Sequence, residues 1–199
     1  MSIKLTPISG SFGVEAMGIN VAAPIAEADA EAMCAALKER LVMVVRDQDL
    51  TPAQYVESMK VFGDPMHQHL SRSLMPIGSR DWHTDHTNHS RPPKMTVLYA
   101  IKLPVKGGDT GFANMQAAYA ALDADEQAEL ATLKTINSIK QDVGYIDDEI
   151  RKTFTAAPQT HPFIRTHPET GRKAIYVHPG KLVCFEGWEA EESKVFVSC

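Results

Sequence analysis

The sequence predicts a single domain over residues 1–199 of α+β or mainly β class, and three observations support this prediction. Helical and strand-like segments alternate along the chain without internal repeats or low-complexity tracts. With 199 residues, 44% of them hydrophobic, the chain can bury a substantial core. It contains no apolar run long enough to span a membrane, so we expect a globular fold without a membrane partner.

Charge and cysteine content limit the possible partners and compartment. A formal net charge of -5 and a pI near 5.9 argue against a nucleic-acid partner held by bulk electrostatics. The first residues lack the hydrophobic stretch of a signal peptide. The three cysteines are scattered and have no CxxC spacing, which suits a reducing compartment. We therefore expect a cytoplasmic protein.

Two helices and one strand are predicted in the first third of the chain. Residues 26–40 are rich in Ala, Glu, Met and Leu, with apolar residues at helical spacing. Residues 41–45 form an apolar run that indicates a buried strand. A second helix is predicted to begin at Thr51, because a proline follows this cap and a glutamine stands three residues after it. We expect Gly63 to end that helix.

The middle of the chain is predicted to contain loops, one longer strand and two helices. Residues 64–93 show little periodicity, which indicates active-site loops around one short strand. Residues 95–101 have the composition of a strand. Residues 114–122 and 123–133 indicate two helices, the second capped by Asp123 with a glutamate three residues later.

The last third is predicted to form a hairpin followed by a helix. Strand composition occurs at residues 162–166 and 173–177, and residues 168–171 between them have the composition of a hairpin turn. A further helix is predicted from Trp188, because acidic residues follow it in what would be the first turn.

The spacing of His83 and Asp85 is the clearest chemical signal in the sequence. In an extended strand, side chains two residues apart point to the same face. An imidazole and a carboxylate would then meet as two ligands of the 2-His-1-carboxylate triad that binds non-haem Fe(II). On spacing alone an ordinary surface His-Asp pair is the more common explanation. With His86 and His89 the segment could also hold zinc, although loop histidines are the favoured interpretation.

Further motifs accompany this pair in a definite order along the chain. In sequence order, they are Arg46-Asp47-Gln48, Leu50-Thr51-Pro52, Phe62-Gly63, Trp82-His83-Thr84-Asp85, Gly107-Gly108-Asp109-Thr110, Ala117-Ala118-Tyr119, His161-Pro162 and Arg165-Thr166-His167-Pro168. This order resembles the taurine dioxygenase (TauD/TfdA) family of Fe(II)- and 2-oxoglutarate-dependent dioxygenases, in register from about residue 13 to about residue 187. The resemblance implies a double-stranded β-helix, or jelly-roll, with flanking helices.

The resemblance also implies roles for individual residues. His83 and Asp85 match the first histidine and the carboxylate of the family's metal site. Thr110 matches the threonine that helps to hold the distal carboxylate of 2-oxoglutarate, a charge-assisted contact. His67 and His69 lie in the region that contributes to the substrate pocket.

Two functional positions of the family have no match in this sequence. The second metal histidine and the arginine that clamps 2-oxoglutarate lie beyond the point that matches Cys199. The late histidines His161, His167 and His178 match other family positions. We therefore expect a C-terminally truncated barrel whose unpaired edges favour association, including a homo-oligomer. Water, or His178 or His86 after rearrangement, could supply the third metal ligand.

The predicted function is that of a 2-oxoglutarate-dependent dioxygenase. With Fe(II), 2-oxoglutarate and dioxygen, it would hydroxylate a small, anionic organic substrate and release succinate and carbon dioxide. The alternative is an impaired family member that acts as a non-catalytic or metal-binding remnant. A hydrolytic zinc enzyme built on residues 83–89 is a more distant third hypothesis.

Overall fold

The computed structural model describes residues 3–8, 10, 12–66, 82–138 and 157–198. The chain divides into two compact units. The first consists of Met1–His67 with Val97–Asn114, and the second of Gln68–Thr96 with Met115–Cys199. Within the described residues, none of the helices is long and apolar enough to cross a membrane.

A three-stranded sheet and a crossover helix organise the first unit. Its elements are β1 (Lys4–Pro7), β2 (Val14–Met17), α1 (Glu27–Arg40), β3 (Met43–Val45) and α2 (Pro52–Met59). Strand β2 lies in the centre, antiparallel to β1 and parallel to β3. The parallel pair is joined by α1, the usual way to connect parallel strands. Val14, Ala16 and Met33 are buried and form the core of this unit.

The predicted helices of the first unit are confirmed, and their local signals explain them. Helix α2 begins at a capping box in which Thr51 and Gln54 satisfy each other's backbone N–H groups. A short 3-10 turn, Lys60–Phe62, continues α2 and ends at Gly63. The φ of Gly63 is 137°, a backbone conformation that glycine adopts readily and other residues rarely do. The predicted strand over residues 41–45 is present as β3 but is only partly buried.

The strand predicted over residues 95–101 is wrong. No strand is assigned to these residues, and Leu98 and Ile101 are 75% and 90% exposed. A strand needs a backbone partner and a face to bury its side chains against. Val97 and Tyr99 are half-buried, but within the described residues no strand pairs with this segment, so its β-favouring composition does not produce a strand.

The second unit contains a three-stranded sheet, a hairpin and three helices. The antiparallel sheet has the order β5-β4-β8, with β4 (Lys134–Asn137), β5 (Gln159–Pro162) and β8 (Leu182–Phe185). The hairpin pairs β6 (Ile164–Thr166) with β7 (Lys173–Ile175), as predicted. The helices are α3 (Met115–Ala120), α4 (Ala124–Leu130) and α5 (Ala190–Ser198), and all three were expected near these positions.

Aromatic side chains form the core of the second unit. Phe185 is fully buried, and its ring centroid lies 5.2 Å from that of Phe163, 5.1 Å from Trp188 and 5.3 Å from Phe196. Ring pairs at these distances add to the stabilisation from burial alone. The contacts fasten α5 and the segment before it to β8.

The α+β class is thus confirmed in the residues that the structure describes. Their strands form small separate sheets of three, three and two strands. These strands alone do not form a closed jelly-roll.

Candidate metal centre

His83 and Asp85 are brought together, but not by a strand. Residues 82–84 are irregular, and Asp85 begins a turn that continues to Asn88, so the expected extended strand is wrong here. His83 Nε2 nevertheless lies 3.6 Å from Asp85 Oδ1. The two side chains are 32% and 42% exposed, so both are partly open to solvent.

One oxygen of Asp85 is fixed by a neighbouring hydroxyl. Thr96 Oγ1 donates a hydrogen bond of 2.8 Å to Asp85 Oδ2. Oδ1, the other oxygen, is the atom nearest His83 Nε2. The hydrogen bond therefore orients the carboxylate with one oxygen held and the other directed to the imidazole, an arrangement common around metal ligands.

The turn after Asp85 is held by backbone and histidine contacts. His86 has a φ of 59°, and its carbonyl accepts a hydrogen bond of 2.9 Å from His89 N. The buried His161, on β5, donates from Nε2 to the His89 carbonyl at 2.9 Å. His161 therefore positions the turn that carries Asp85, a role that its place in a His-Pro motif did not reveal.

The histidines of this turn are disposed to stay neutral. Burial lowers the pKa of His86, and the nearby charges of His89 and Lys181 lower it further. Burial and the charge of Lys181 likewise lower the pKa of His89. Across the described ranges, however, no three His, Cys, Asp or Glu side chains are grouped so that they could hold a metal ion. The zinc hypothesis therefore gains no support from these histidines.

His178 lies beside the His83–Asp85 pair, after the end of β7. The ring centroids of His83 and His178 are 5.1 Å apart, with the planes inclined by 40°. Burial lowers the pKa of His178 to about 4, assisted by the charges of Lys181 and His83 and opposed by Asp85. The imidazole is thus neutral at neutral pH, with a lone pair available to a ligand.

Lys181, like Thr96, is a residue of this region that sequence reasoning missed. It is half-buried, and burial lowers the pKa of its ammonium while the charge of Asp85 raises it. The positive charge of Lys181 in turn lowers the pKa of His86, His89 and His178. A single lysine after a Pro-Gly turn carries no sequence signal, because only the fold brings it to these histidines.

Several buried polar atoms around the pair have no hydrogen-bond partner. They include Thr87 Oγ1, Asn88 Oδ1 and His178 Nδ1. Such atoms are rare in folded proteins and often mark the place of a water, an ion or a ligand. Together with a carboxylate oxygen and an imidazole nitrogen, this polar surround fits a metal ion held by two protein ligands.

The other predicted site residues are Thr110, His67 and His69. Thr110 belongs to the first unit and is exposed, in an irregular segment after Gly107 and Gly108. Gly108 has a φ of 78°, and a Cβ there would lie 2.9 Å from Pro104 Cγ, so this turn requires glycine. His67 and His69 lie outside the described residues.

Comparison with known proteins decides the family. The sequence model of the family described as "Taurine catabolism dioxygenase TauD, TfdA family" matches residues 4–199. The chain belongs to this family. The predicted resemblance to the TauD/TfdA family is thereby confirmed over nearly the whole sequence.

Individual TauD/TfdA relatives are moderately similar. An alpha-ketoglutarate-dependent sulfate ester dioxygenase of Pseudomonas putida is 29% identical over 198 residues, covering 88% of this chain and 66% of the relative. An (S)-phenoxypropionate/alpha-ketoglutarate-dioxygenase of Sphingobium herbicidovorans is 27% identical over 204 residues, covering 88% of this chain and 70% of the relative. The chain thus spans about two thirds of the length of these curated relatives.

A solved structure agrees with the fold. The crystal structure of AAD-2 in complex with Mn(II) and N-oxalylglycine superposes with a TM-score of 0.82 at 26% identity. The match covers 100% of this chain and 78% of AAD-2. The two- and three-stranded sheets described above therefore correspond to part of a TauD-type, double-stranded β-helix fold.

Proposed function

We propose that this chain binds Fe(II) through His83 and Asp85 and serves a 2-oxoglutarate-dependent hydroxylation. The reaction would consume dioxygen, oxidise a small anionic organic substrate and release succinate and carbon dioxide. The observation that carries the proposal is the distance of 3.6 Å between His83 Nε2 and Asp85 Oδ1 in a chain of the TauD/TfdA family. Imidazole and carboxylate are the ligand types of non-haem Fe(II) oxygenases.

The roles of the chain's own residues follow from the geometry of the pair. His83 offers its ring nitrogen and Asp85 its Oδ1, while Thr96 holds the second carboxylate oxygen and prevents the carboxylate from turning. Bound Fe(II) would supply the activation of dioxygen, and the oxidative decarboxylation of 2-oxoglutarate provides the electrons. The unpartnered Thr87 Oγ1 and Asn88 Oδ1 can hydrogen-bond to water or ligand groups at this place.

Lys181 supports an anionic ligand for this site. Asp85 is the negative charge that acts on the half-buried Lys181 ammonium. A dication held by Asp85 would occupy that carboxylate and leave Lys181 in need of another counter-charge. A carboxylate of 2-oxoglutarate, or an anionic substrate group like those in the names of the two relatives above, meets this need.

The remaining predicted contacts extend the same proposal. Thr110 would donate its hydroxyl to a carboxylate of 2-oxoglutarate, as the resemblance implies. His67 and His69 would contribute to the substrate pocket. These three roles rest on matching positions in the family.

A second candidate function is metal binding without turnover. It is favoured by the absence, in the described part of the chain, of any group of three side chains that could hold a metal ion. Two ligands bind a metal more weakly than three and leave more of its coordination sphere to water.

Turnover of 2-oxoglutarate distinguishes the two candidates. The purified chain is incubated with Fe(II), ascorbate, 2-oxoglutarate and oxygen, and succinate is measured by chromatography. We expect succinate from wild type and background levels from His83→Ala. His167→Ala is the matched control, because His167 lies in the turn of the β6–β7 hairpin and accepts hydrogen bonds from Glu169 N and Thr170 N. Background succinate from wild-type protein that does bind Fe(II) would support the second candidate instead.

A further inference from the structure

The first unit exposes a run of apolar side chains in residues 98–105. Ile101 and Leu103 are 90% and 74% exposed, and Val105 is fully exposed. Exposed apolar residues that follow one another in this way mark interaction surfaces in soluble proteins. We propose that residues 98–105 bind the same residues of a second copy of this chain, as two antiparallel strands related by a two-fold axis. This surface is independent of the proposed metal site.

The backbone of the same segment is unpaired. Within the described ranges, no backbone–backbone hydrogen bond involves residues 98–112. A segment of β-favouring composition with free N–H and C=O groups is a template for the addition of another strand. A strand partner would satisfy these groups and cover the apolar side chains in one step.

The segment begins from a fixed base on the first unit. Tyr55 donates a hydrogen bond of 2.8 Å from its hydroxyl to Val97 O. The Tyr99 hydroxyl accepts one of 2.9 Å from Leu50 N, and the rings of Tyr55 and Tyr99 stack with centroids 5.7 Å apart. Val97 and Tyr99 are half-buried while Leu98 between them is exposed, which is the alternation of a strand with one open face.

Pairing requires the rest of the segment to straighten, and nothing buried opposes this change. In the single chain the backbone bends at Ile101 and again at Val105. Residues 100–106 are all exposed, so straightening them displaces no buried side chain. The new backbone hydrogen bonds and the burial of apolar surface favour the paired form.

One antiparallel register suits the apolar side chains. With Leu103 on the two-fold axis, Ile101 of one copy lies opposite Val105 of the other, and Leu103 lies opposite itself. Side chains at positions 101, 103 and 105 of a strand point to the same face. The pair therefore gathers six apolar side chains, three from each copy, on one face.

The same register accommodates the lysines and the proline. Lys102 lies opposite Pro104, and Lys106 lies opposite Ala100, so no two lysines oppose each other directly. When the two Leu103 residues exchange both backbone hydrogen bonds, Pro104 falls in a pair that needs no N–H donor. Because the segment complements itself in charge and in backbone donors, a second copy is the occupant that fits it.

Molecular mass in solution tests the pairing. An eight-residue strand is about 27 Å long, which makes a small interface. We therefore expect wild type to pass from monomer to dimer in the micromolar range, as measured by sedimentation equilibrium. Leu103→Lys should weaken the dimer about tenfold or more, since it places two ammonium groups on the axis. Val56→Lys, an exposed apolar position on α2 of the same unit, is the matched control and should dimerise as wild type does.

Cysteine cross-linking tests the register. In Leu103→Cys the two thiols lie in a pair with Cα atoms about 5.5 Å apart, a separation that a disulfide can span. In Lys106→Cys the two positions are about 20 Å apart along the strands and should not react. Mild oxidation should therefore give a covalent dimer of Leu103→Cys alone, above the baseline of the native cysteines in both variants.

Four results would overturn the proposal. A wild type that stays monomeric at every concentration shows that a different polypeptide, and not a second copy, suits this segment. Equal dimerisation of Leu103→Lys and wild type would place the interface elsewhere. Growth of wild type beyond the dimer would contradict a closed two-fold pair. Equal cross-linking of Leu103→Cys and Lys106→Cys would contradict the register.

Discussion

Thr96 and Asp85 are joined by a hydrogen bond of 2.8 Å from the threonine hydroxyl to Oδ2. The bond holds one carboxylate oxygen and leaves the other, Oδ1, 3.6 Å from His83 Nε2. The hydrogen bond therefore fixes the orientation of the carboxylate, as the proposed metal site would require. Orientation of this kind lowers the entropy that a flexible carboxylate would lose on binding a metal.

Replacement of Thr96 should weaken metal binding without removing a ligand. We expect Thr96→Val to lower Co(II) affinity by about tenfold, the lower end of the effect of removing an outer partner of a ligand. Thr96→Ser keeps the hydroxyl and should stay within about twofold of wild type. Isothermal titration of each protein with Co(II) measures this. Equal affinities for the valine and serine variants would show that the hydrogen bond does not orient the ligand.

Removal of the Lys181 charge should act in opposite directions on cations and anions. The ammonium lowers the pKa of His86, His89 and His178, and the same field opposes a dication beside Asp85. We expect Lys181→Gln to tighten Co(II) binding by about two- to fivefold at low salt, and less at high salt. It should also weaken the binding of 2-oxoglutarate to the Co(II)-loaded protein.

A charge-matched variant controls for this effect. Lys173 is exposed and lies over the ring of Tyr119, with its Nζ 5.9 Å from the ring centroid. Lys173→Gln removes the same charge and should leave both affinities unchanged. If Lys181→Gln weakens Co(II) binding or strengthens that of 2-oxoglutarate, the role given to Lys181 is wrong.

The buried Ser193 hydroxyl should be a local source of stability. It accepts a hydrogen bond of 2.9 Å from Phe185 N and donates one of 2.9 Å to Glu189 O, thereby joining α5 to β8. Ser193→Ala leaves a buried N–H without its partner, which costs about 1–3 kcal/mol of unfolding free energy. Ser198→Ala, in the last turn of the same helix and exposed, should cost less than about 0.5 kcal/mol. Urea unfolding of both variants tests the difference, and equal losses would contradict it.

Tyr55 should give the first unit an alkaline dependence of stability. Its hydroxyl donates to Val97 O at 2.8 Å, and burial raises its pKa above the usual 10.0. Above pH 10 the unfolded chain therefore loses this proton first, so the folded state binds more protons and stability falls as pH rises. Below that pH the contribution is fully present.

Phenolate absorbance and unfolding midpoints check this behaviour of Tyr55. In Tyr55→Phe the late phase of the alkaline absorbance titration should shrink but not vanish, because burial raises the pKa of Tyr176 as well. The midpoint for urea should depend less on pH above 10. A late phase of unchanged amplitude in Tyr55→Phe would show that Tyr55 does not contribute to it.

Local signals in the sequence were sufficient for most helices. The capping boxes at Thr51 and Asp123 act within a few residues, so α2 and α4 begin where the sequence predicted. The β6–β7 hairpin was predictable for the same reason, because its turn lies between its two strands. Strands that pair over long distances were not. Strand β4 is four residues long with Thr135 and Asn137 buried, and this polar pattern does not indicate a central strand.

In the candidate site, too, contacts between residues close in sequence could be predicted and contacts between distant residues could not. His83 and Asp85 are two residues apart, so their meeting could be predicted, although a turn and not a strand produces it. Thr96, His178 and Lys181 reach the pair only through the tertiary fold, and no spacing in the sequence indicates their contacts. Of these three, only His178 was considered from the sequence, as a possible third ligand beside His86 and water, and nothing distinguished Thr96 or Lys181 from other threonines and lysines.

Metal titration of the purified chain is the most direct test of the central claim, that His83 and Asp85 bind a metal ion. Co(II) or Fe(II) is titrated under anaerobic conditions into wild type, His83→Ala, Asp85→Ala and the control His167→Ala. The proposed site predicts one ion per chain in wild type and in the control, and loss of binding in both ligand variants while the fold is retained. Unchanged binding in folded His83→Ala and Asp85→Ala would contradict it.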